Sequence, residues 1–436
     1  MGASRLSANY WKLFSATTFS SLGTGVSGVA FPWIASVLTR DPFVIALISL
    51  SGQLPWLIFT LPAGVLTDRL NKKMILIGMD VIRGLLTVVV GCGVFINRHS
   101  LHDIKDPASM TVSTQWGLIL LIFAAQLVMG CASVLADNTS QTVMPAVVST
   151  DQLQRANGRL WSAISVSEQF VGPPLGSFLL TAGAFIPFLF DASSFFASAG
   201  LIALIASSFH SSSEKPAKKN FTVELQEGFQ WLWNHKLIRT LAISLGVFNL
   251  ATNISMAASI LFMQEVLHVK VFIFALLSTG FAIGGVVGGL VAPKIAEKLG
   301  EGRSLTVTLL GIAGATLMVG LARSWIVVWV AEIIVALLST LWNVVTVSFR
   351  QSIIPPHLLG RVNSVYRFFG WGSLPLGSFL GGILVSIALH FTNREFALRL
   401  PWFVGAGIIL AIYLGTRTLL TTSAFESARN LASDQG

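Results

Sequence analysis

The sequence predicts an all-α membrane protein in which twelve transmembrane helices form two pseudo-symmetric six-helix bundles. Hydrophobic residues make up 53% of the 436 residues and charged residues only 11%, whereas a soluble domain carries about 25% charged residues. A helix that crosses a bilayer needs about 20 mostly apolar residues, and twelve such windows are separated by polar breaks. They begin near Trp11, Phe43, Met74, Thr114, Gly158, Pro187, Arg239, Val271, Ser304, Trp325, Arg361 and Leu398.

The same composition argues against several other classes of protein. Both cysteines, Cys92 and Cys131, lie inside apolar segments, so neither a disulfide scaffold nor a metal site is predicted. The net charge of +9 is dispersed among the hydrophobic spans, which does not indicate a nucleic-acid partner. The sequence contains no nucleotide-binding P-loop and no enzyme signature, so we expect no catalytic activity and no cofactor.

The basic residues predict the orientation of the spans. With the N-terminus placed inside, 20 of the 28 Lys and Arg residues fall in cytoplasmic segments and 7 in outer segments. An excess of positive charge marks the cytoplasmic side, so both termini are expected to be cytoplasmic. The first hydrophobic segment lacks the small-residue cleavage site of a signal peptide and is expected to be retained.

A short repeat divides the spans into two halves. The hexapeptide PLGSFL occurs at Pro174–Leu179 and at Pro375–Leu380, in the fifth and eleventh spans. The fifth and eleventh spans are equivalent members of two six-span halves, so the repeated hexapeptide indicates a duplicated six-span unit. Two such parallel repeats are related by an axis along the membrane normal. The predicted segments are an N-terminal six-helix bundle at 1–207, a cytoplasmic linker at 208–235, a C-terminal six-helix bundle at 236–422 and a cytoplasmic tail at 423–436.

The linker contains one amphipathic stretch. Its apolar residues recur at helical spacing and are Phe221, Leu225, Phe229, Leu232 and Trp233. This pattern predicts a helix that either lies on the cytoplasmic leaflet or serves as a plain connector.

A charged stretch interrupts the apolar sequence between spans two and three. It holds Gly64, Asp68, Arg69, Lys72 and Lys73 in the pattern G-x-L-x-D-R-x-x-K-K. This stretch resembles the loop signature of the major facilitator superfamily. The resemblance implies the fold of that family and a gating latch that holds one access state and releases in the other. A positive-inside signal alone would explain the two lysines, but not the carboxylate.

Other positions modify this resemblance. Asp80 and Arg83, three residues apart in span three, are expected to form a local pair that supports the latch. In the second half, Pro293 stands where the signature has its acid, so a strong latch is expected in the N-terminal half only. Drug/proton antiporters of the superfamily often carry an Arg four residues before a Gly in span four, whereas here Gln126 precedes Gly130.

Span five carries a second motif, Gly172, Pro173, Pro174 and Gly176, which resembles the G-P-x-x-G motif of exporters in this superfamily. Prolines remove backbone donors and kink a helix, so the motif implies either a kink that biases the cycle toward antiport or an ordinary membrane-helix kink. Over nearly its whole length, the chain resembles the branch that contains macrolide-efflux-like proteins and the enterobactin exporter.

Polar residues on two corresponding spans predict the translocation path. In span four they recur at Gln126, Gly130, Ser133, Asp137 and Gln141, and in span ten at Glu332, Ser339, Asn343, Thr346 and Arg350. Each set lies on one helical face. Residues near the cytoplasmic ends of these spans would alternatively be solvated or belong to a gate. The predicted cavity-lining residues are Gln126, Ser133, Asn249, Asn253, Ser339 and Asn343.

Ionisable groups inside a bilayer are costly and are functional candidates. The proton-coupling candidates are Glu168 in span five, Glu332 in span ten and Asp137 in span four. A structural glutamate that bonds a neighbouring helix is the alternative for Glu168. Asp191, which opens span six, is predicted to be structural.

These features favour a secondary active transporter that exports amphipathic small molecules by alternating access and uses the proton gradient as its energy source. The expected setting is a prokaryotic inner membrane, with the lipid bilayer, protons and a small amphipathic substrate as partners of a monomer. A lipid or lysolipid translocator and a nutrient symporter are alternatives from the same class. A receptor or scaffold that kept the fold without transport is an alternative from another class.

Overall fold

The structure is a computed structural model that describes residues 6–101, 114–149, 152–205, 221–355 and 358–433. Every regular element in these ranges is helical. The chain forms two compact units. The first comprises Met1–Glu214 and His268–Ser278, and the second comprises Lys215–Leu267 and Thr279–Gly436.

Eight helices belong to the first unit. They are α1 (Ala8–Leu38), α2 (Pro42–Ile58), α3 (Thr60–Arg69), α4 (Lys72–Ile96), α5 (Trp116–Val147), α6 (Leu153–Ser165), α7 (Gly172–Ala182) and α8 (Ile186–Ala203), with a π-helical segment at Val166–Val171 between α6 and α7. Side-chain oxygens of Ser7, Asp41 and Asn71 accept bonds from the first backbone N–H groups of α1, α2 and α4. Such caps satisfy donors that have no partner inside the helix.

The other helices are α9 (Phe221–Asn234), α10 (Lys236–Met256), α11 (Ser259–Leu261), α12 (Val271–Gly320), α13 (Trp325–Ile353), α14 (Leu359–Ala388), α15 (Arg394–Thr416) and α16 (Thr422–Ser433), and a π-helical segment at Phe262–Val266 follows α11. They belong to the second unit, apart from the first two turns of α12, which belong to the first. Helix α12 is interrupted at Gly300, whose φ of 72° lies in the left-handed region that glycine adopts without steric cost.

These helices account for the twelve predicted spans. Nine helices in the described part of the chain are long and apolar enough to cross a membrane. One of them, α12, supplies spans eight and nine on either side of Gly300. Span two is divided between α2 and α3, and span five between α6 and α7. The break between spans nine and ten lies between Gly320 and Trp325. The predicted fold class is confirmed.

Each unit has its own apolar core. In the first unit Tyr10 and Leu13 of α1 pack with Val143 and Met144 of α5, and the Tyr10 hydroxyl donates to the carbonyl of Ala156 at 3.1 Å. A buried tyrosine needs such a partner for its hydroxyl group.

The core of the second unit includes a ring from the predicted tail. Phe425 of α16 is fully buried, and its ring meets the ring of Phe349 edge-on at 4.5 Å. Arg429, one turn further along, pairs with Glu301 at 2.5 Å. Residues 422–433 therefore form a helix that packs on the second unit, because one of its faces carries both the ring that meets Phe349 and the cation that pairs with Glu301.

The predicted linker helix is present as α9 and packs on the second unit. Leu232 is fully buried in the core of that unit, and Glu227 pairs with Arg361 of α14. Gly228 lies against the backbone of Arg361, so closely that a β-carbon there would lie 2.8 Å from its carbonyl oxygen. The stacked rings of Phe229 and Trp233 remain exposed.

The repeated hexapeptide has an equivalent packing role in each unit. A β-carbon added at Gly176 in the first copy would lie 2.6 Å from the carbonyl oxygen of Val26 on α1. A β-carbon at Gly377 in the second copy would lie 2.5 Å from the carbonyl oxygen of Leu250 on α10. In both halves, the hexapeptide therefore provides the small residue that lets the fifth helix of the half approach the first.

Candidate functional site

The charged stretch spans the end of α3 and the start of α4. The structure describes neither the packing around Gly64 nor the side chains of Asp68 and Arg69, so the latch stays a prediction. The helix that carries them is fixed to span four, since Thr67 is buried and its hydroxyl lies 3.1 Å from that of Thr139 on α5.

Lys73 of the same stretch holds the C-terminal end of α8. Its Nζ donates to the carbonyls of Ala203 at 2.8 Å and Ile205 at 2.6 Å, and Nζ of Lys12 donates to the carbonyl of Leu204 at 2.6 Å. The last carbonyls of a helix have no partner inside it, and a cation there also interacts favourably with the helix dipole.

We expect Lys73→Ala to lower the free energy of unfolding by about 0.5–1 kcal/mol, because these carbonyls lose a charged donor. Thermal unfolding of the purified protein in detergent measures the change. Lys72→Ala is the matched control, since no bond from its side chain occurs among the described residues. Equal effects of the two substitutions would show that Lys73 acts only through its charge at the membrane surface.

The expected pair of Asp80 and Arg83 is present within α4 and belongs to a larger network. Asp80 accepts bonds from Arg83 and from the hydroxyl of Ser198 on α8, the latter at 2.6 Å. The guanidinium of Arg83 lies over the ring of Phe195 at 4.4 Å from its centroid. Asp80 is thus a buried carboxylate with a cation and a hydroxyl as partners, which is how a buried charge is tolerated.

Two further predicted acids of the first unit interact with each other. Glu168 lies in the π-helical segment of span five, half-buried, with Ser21 of α1 as its hydroxyl partner and Asp137 as a neighbouring charge. Asp137 on α5 is exposed and interacts electrostatically with Arg83. The two carboxyl groups carry like charges when both are ionised, and that repulsion is unfavourable.

The prolines of span five act on the backbone next to Glu168. Pro173 has no N–H for the carbonyl of Gln169, four residues earlier, and the hydroxyl of Ser278 donates to that carbonyl at 3.4 Å. The chain before Pro173 is π-helical from Val166 to Val171. Gly172 lies against Gly25 of α1, where a β-carbon would lie 2.7 Å from Cα. The backbone that precedes the motif's prolines is thus π-helical, and the kink stays a prediction.

In the second unit, Glu332 on α13 is half-buried, and no described side chain donates a hydrogen bond to it. Ser339 is half-buried and Asn343 exposed, and the Asn343 amide donates to the carbonyl of Ser339 at 3.1 Å. These three positions follow one face of α13, as predicted from their spacing.

Asn249 and Asn253 are half-buried and serve helix contacts. The Asn249 amide donates to the carbonyl of Gly370 on α14 at 2.8 Å, and the Asn253 amide donates to the carbonyl of Asn249 at 3.1 Å. In the first unit, Gln126 lies against Gly52 of α2, where a β-carbon would lie 2.8 Å from Oε1. Ser133, about two turns further along α5, is half-buried.

Arg350, at the end of the same face as Glu332, is buried. Its guanidinium stacks over the ring of Tyr366 at 3.6 Å from the centroid, and its Nε and Nη1 have no hydrogen-bond partner among the described residues. The expectation of a solvated group at this helix end is thus replaced by a cation–π contact.

Asp191 is the most deeply buried acid of the described spans. It is only 1% exposed, and its Oδ2 is hydrogen-bonded to the hydroxyl of Ser27 of α1. Ser27 precedes it by 164 residues, and no local spacing relates the two. The available signal was the acid itself, placed among apolar residues in a predicted span.

The family model described as Major Facilitator Superfamily matches residues 13–378. The chain is 23% identical to the Multidrug efflux pump Tap of Mycolicibacterium fortuitum, over 92% of this chain and 94% of that protein. It is 24% identical to the Multidrug efflux pump Tap of Mycobacterium tuberculosis, over 88% of each chain.

Solved transporter structures share the fold. A bacterial homologue of the iron transporter ferroportin in the inward-facing state aligns with a TM-score of 0.70 at 14% identity, covering 97% of this chain and 98% of that one. The nucleoside transporter NupG aligns with a TM-score of 0.64 at 13% identity, covering 97% and 99%.

Proposed function

Since the chain belongs to the Major Facilitator Superfamily, we propose that it is a proton-coupled exporter of amphipathic small molecules. It works as a monomer in a prokaryotic inner membrane, with both termini cytoplasmic. The relatives are multidrug efflux pumps, which supports export of several hydrophobic compounds. Apolar walls with few polar groups suit such cargo.

The observation that carries proton coupling is the imbalance of charge within the spans. Four carboxyl groups lie in the described spans of the first unit, and Arg83 is the cation that acts electrostatically on three of them, Asp80, Asp137 and Asp191. The carboxyls are Asp80, Asp137, Glu168 and Asp191. In the second unit, no described cation acts electrostatically on Glu332 of α13. A permanent negative charge inside a membrane is costly, and carboxyl groups within transmembrane spans commonly serve to bind and release protons.

The test is gradient-driven transport by the purified protein in proteoliposomes, compared for wild type, Glu168→Gln and Glu332→Gln. At least one substitution is expected to abolish accumulation of a hydrophobic cationic dye under an imposed pH gradient, because an amide cannot release a proton. Drug susceptibility of expressing cells gives a second readout and should change in parallel.

Glu297→Gln is the control, since Glu297 is exposed on α12. If both Glu168→Gln and Glu332→Gln transport like wild type, neither acid carries the coupling proton. If wild type itself shows no exchange under the gradient, the receptor or scaffold alternative gains. Movement of a labelled lysolipid with no movement of the dye would favour the lipid translocator, and inward accumulation of a nutrient would favour a symporter.

A further inference from the structure

The surroundings of Asp191 combine burial with a lack of countercharge. Its Oδ2 is bonded to the hydroxyl of Ser27, and its Oδ1 is buried without any hydrogen-bond partner among the described residues. Oδ1 faces Gly23 of α1 so closely that a β-carbon there would overlap it. The hydroxyl of Ser194 is occupied by the backbone carbonyl of Asp191 at 2.7 Å. An ionised carboxylate here would have only neutral hydroxyls, those of Ser27 and Ser194, as its support within hydrogen-bonding reach.

The cation that acts on Asp191 is bonded to another acid. Arg83 acts electrostatically on Asp191, but its guanidinium bonds Asp80, which also accepts a bond from Ser198. The Asp80–Arg83 pair is neutral as a whole. A second negative charge beside it would lack compensation, and an uncompensated charge in an apolar interior is strongly unfavourable.

No other described charge is placed to compensate Asp191. Helix α8 packs against α1, α4 and α7. Helix α4 contributes Asp80 and Arg83, and the lysines that touch α8 do so at residues 203–205. At 1.5 Å per residue these carbonyls lie about 18 Å along the helix from Asp191. Of the remaining charged groups in the unit's spans, Glu168 and Asp137 are acids, and Arg155 and Arg159 lie on α6, a helix that is not among those packed against α8.

We propose that Asp191 is a proton-binding site of the first unit and is held as a neutral acid in this conformation. In that form its Oδ2–H donates to the oxygen of Ser27, and Oδ1 is an uncharged carbonyl oxygen whose lack of a partner costs far less than a lone charge would. On release of the proton, the Ser27 hydroxyl turns to donate to Oδ2. Arg83 is then the cation that stabilises the negative charge on Asp191.

Infrared difference spectroscopy tests the protonation state directly, because a neutral carboxylic acid has a carbonyl stretch that a carboxylate lacks. The purified full-length protein, with aspartate labelled by ¹³C at its side-chain carboxyl, is expected to show an isotope-shifted acid band at neutral pH. The labelling identifies the band as aspartic and needs no substitution, so it decides the first step even for a chain that tolerates no change.

Variants then assign the band. Asp191→Asn, which keeps the shape and the donor of the neutral acid, should remove it, and Ser27→Ala should move it to higher frequency because the acid loses its hydrogen bond. Asp41→Asn at the exposed cap of α2 should leave it unchanged. An absent band, or one that survives in Asp191→Asn, would overturn the proposal.

Coupling of this proton to transport rests on the function proposed above, and a separate arm tests it. In proteoliposomes Asp191→Asn is expected to keep downhill exchange of the dye but to lose at least tenfold in accumulation driven by a pH gradient. Wild-type accumulation by Asp191→Asn, with loss in Glu168→Gln or Glu332→Gln, would remove Asp191 from coupling and leave the proposed function intact. If wild type shows no gradient-driven transport, the proposed function fails, and the infrared band still decides whether Asp191 binds a proton.

Discussion

Replacing Asp80 with Asn is expected to lower the free energy of unfolding by about 3–5 kcal/mol, the usual effect of removing one partner from a buried ion pair. The physical reason is the charge left on Arg83, whose side chain is only 12% exposed and has no other carboxylate bonded to it among the described residues. The pair also holds α4 to α8 through Ser198, so both the pair and a contact between helices are weakened. The measurement is thermal unfolding of the purified protein in detergent, followed by size-exclusion chromatography of the fraction that stays monodisperse.

A double substitution separates charge from shape. Asp80→Asn with Arg83→Gln removes both charges and is expected to recover most of the lost stability, because neutral partners leave no buried charge. Asp41→Asn, at an exposed position that Asn caps equally well, is the control. If the single substitution is as stable as wild type, Asp80 and Arg83 do not form a charged pair in the folded protein.

Substituting Gly377 with Ala is expected to lower the free energy of unfolding of the second unit by about 1–3 kcal/mol, because the added methyl group overpacks a close helix contact. The methyl group would lie 2.5 Å from the carbonyl oxygen of Leu250 and 2.7 Å from Cβ of Asn253. Since both contacts lie on α10, the two helices must move apart. Gly176→Ala should have a similar effect in the first unit, and the same thermal unfolding experiment measures both.

Gly360→Ala is the matched control for Gly377→Ala. It lies on the same helix, α14, and a β-carbon there would have no neighbour within 4 Å. Alanine in place of glycine within a helix normally stabilises by about 1 kcal/mol, so the control should be neutral or stabilising. Destabilisation by both substitutions alike would mean that the packing against α10 is not the cause.

Features set by local sequence could be predicted well. The twelve spans follow from the length of apolar windows, and the pairing of Asp80 with Arg83 follows from a spacing of three residues on a helix. The repeat PLGSFL was visible in the sequence, but its reason was not. That reason is the approach of Gly176 to Val26 and of Gly377 to Leu250, which requires knowing which helices are neighbours.

Features that depend on packing between distant segments could not be predicted. Lys73 meets Ala203 and Ile205 some 130 residues later, and no pattern within the charged stretch indicates a partner there. For the same reason the sequence does not show the bond of Asp191 to Ser27 or the bond of Arg83 to Asp80 as parts of one network, which appears only in three dimensions.

The docked helix α16 has a consequence for dissecting the molecule. Phe425 is part of the core of the second unit, and Arg429 forms an ion pair with Glu301. A polypeptide that ends just after α15 would therefore lack a core side chain and leave Glu301 without this partner. An isolated second half should therefore be expressed through Ser433, and purification handles belong beyond that residue. The two halves, although both carry the repeated hexapeptide, therefore cannot be exchanged for one another at this end.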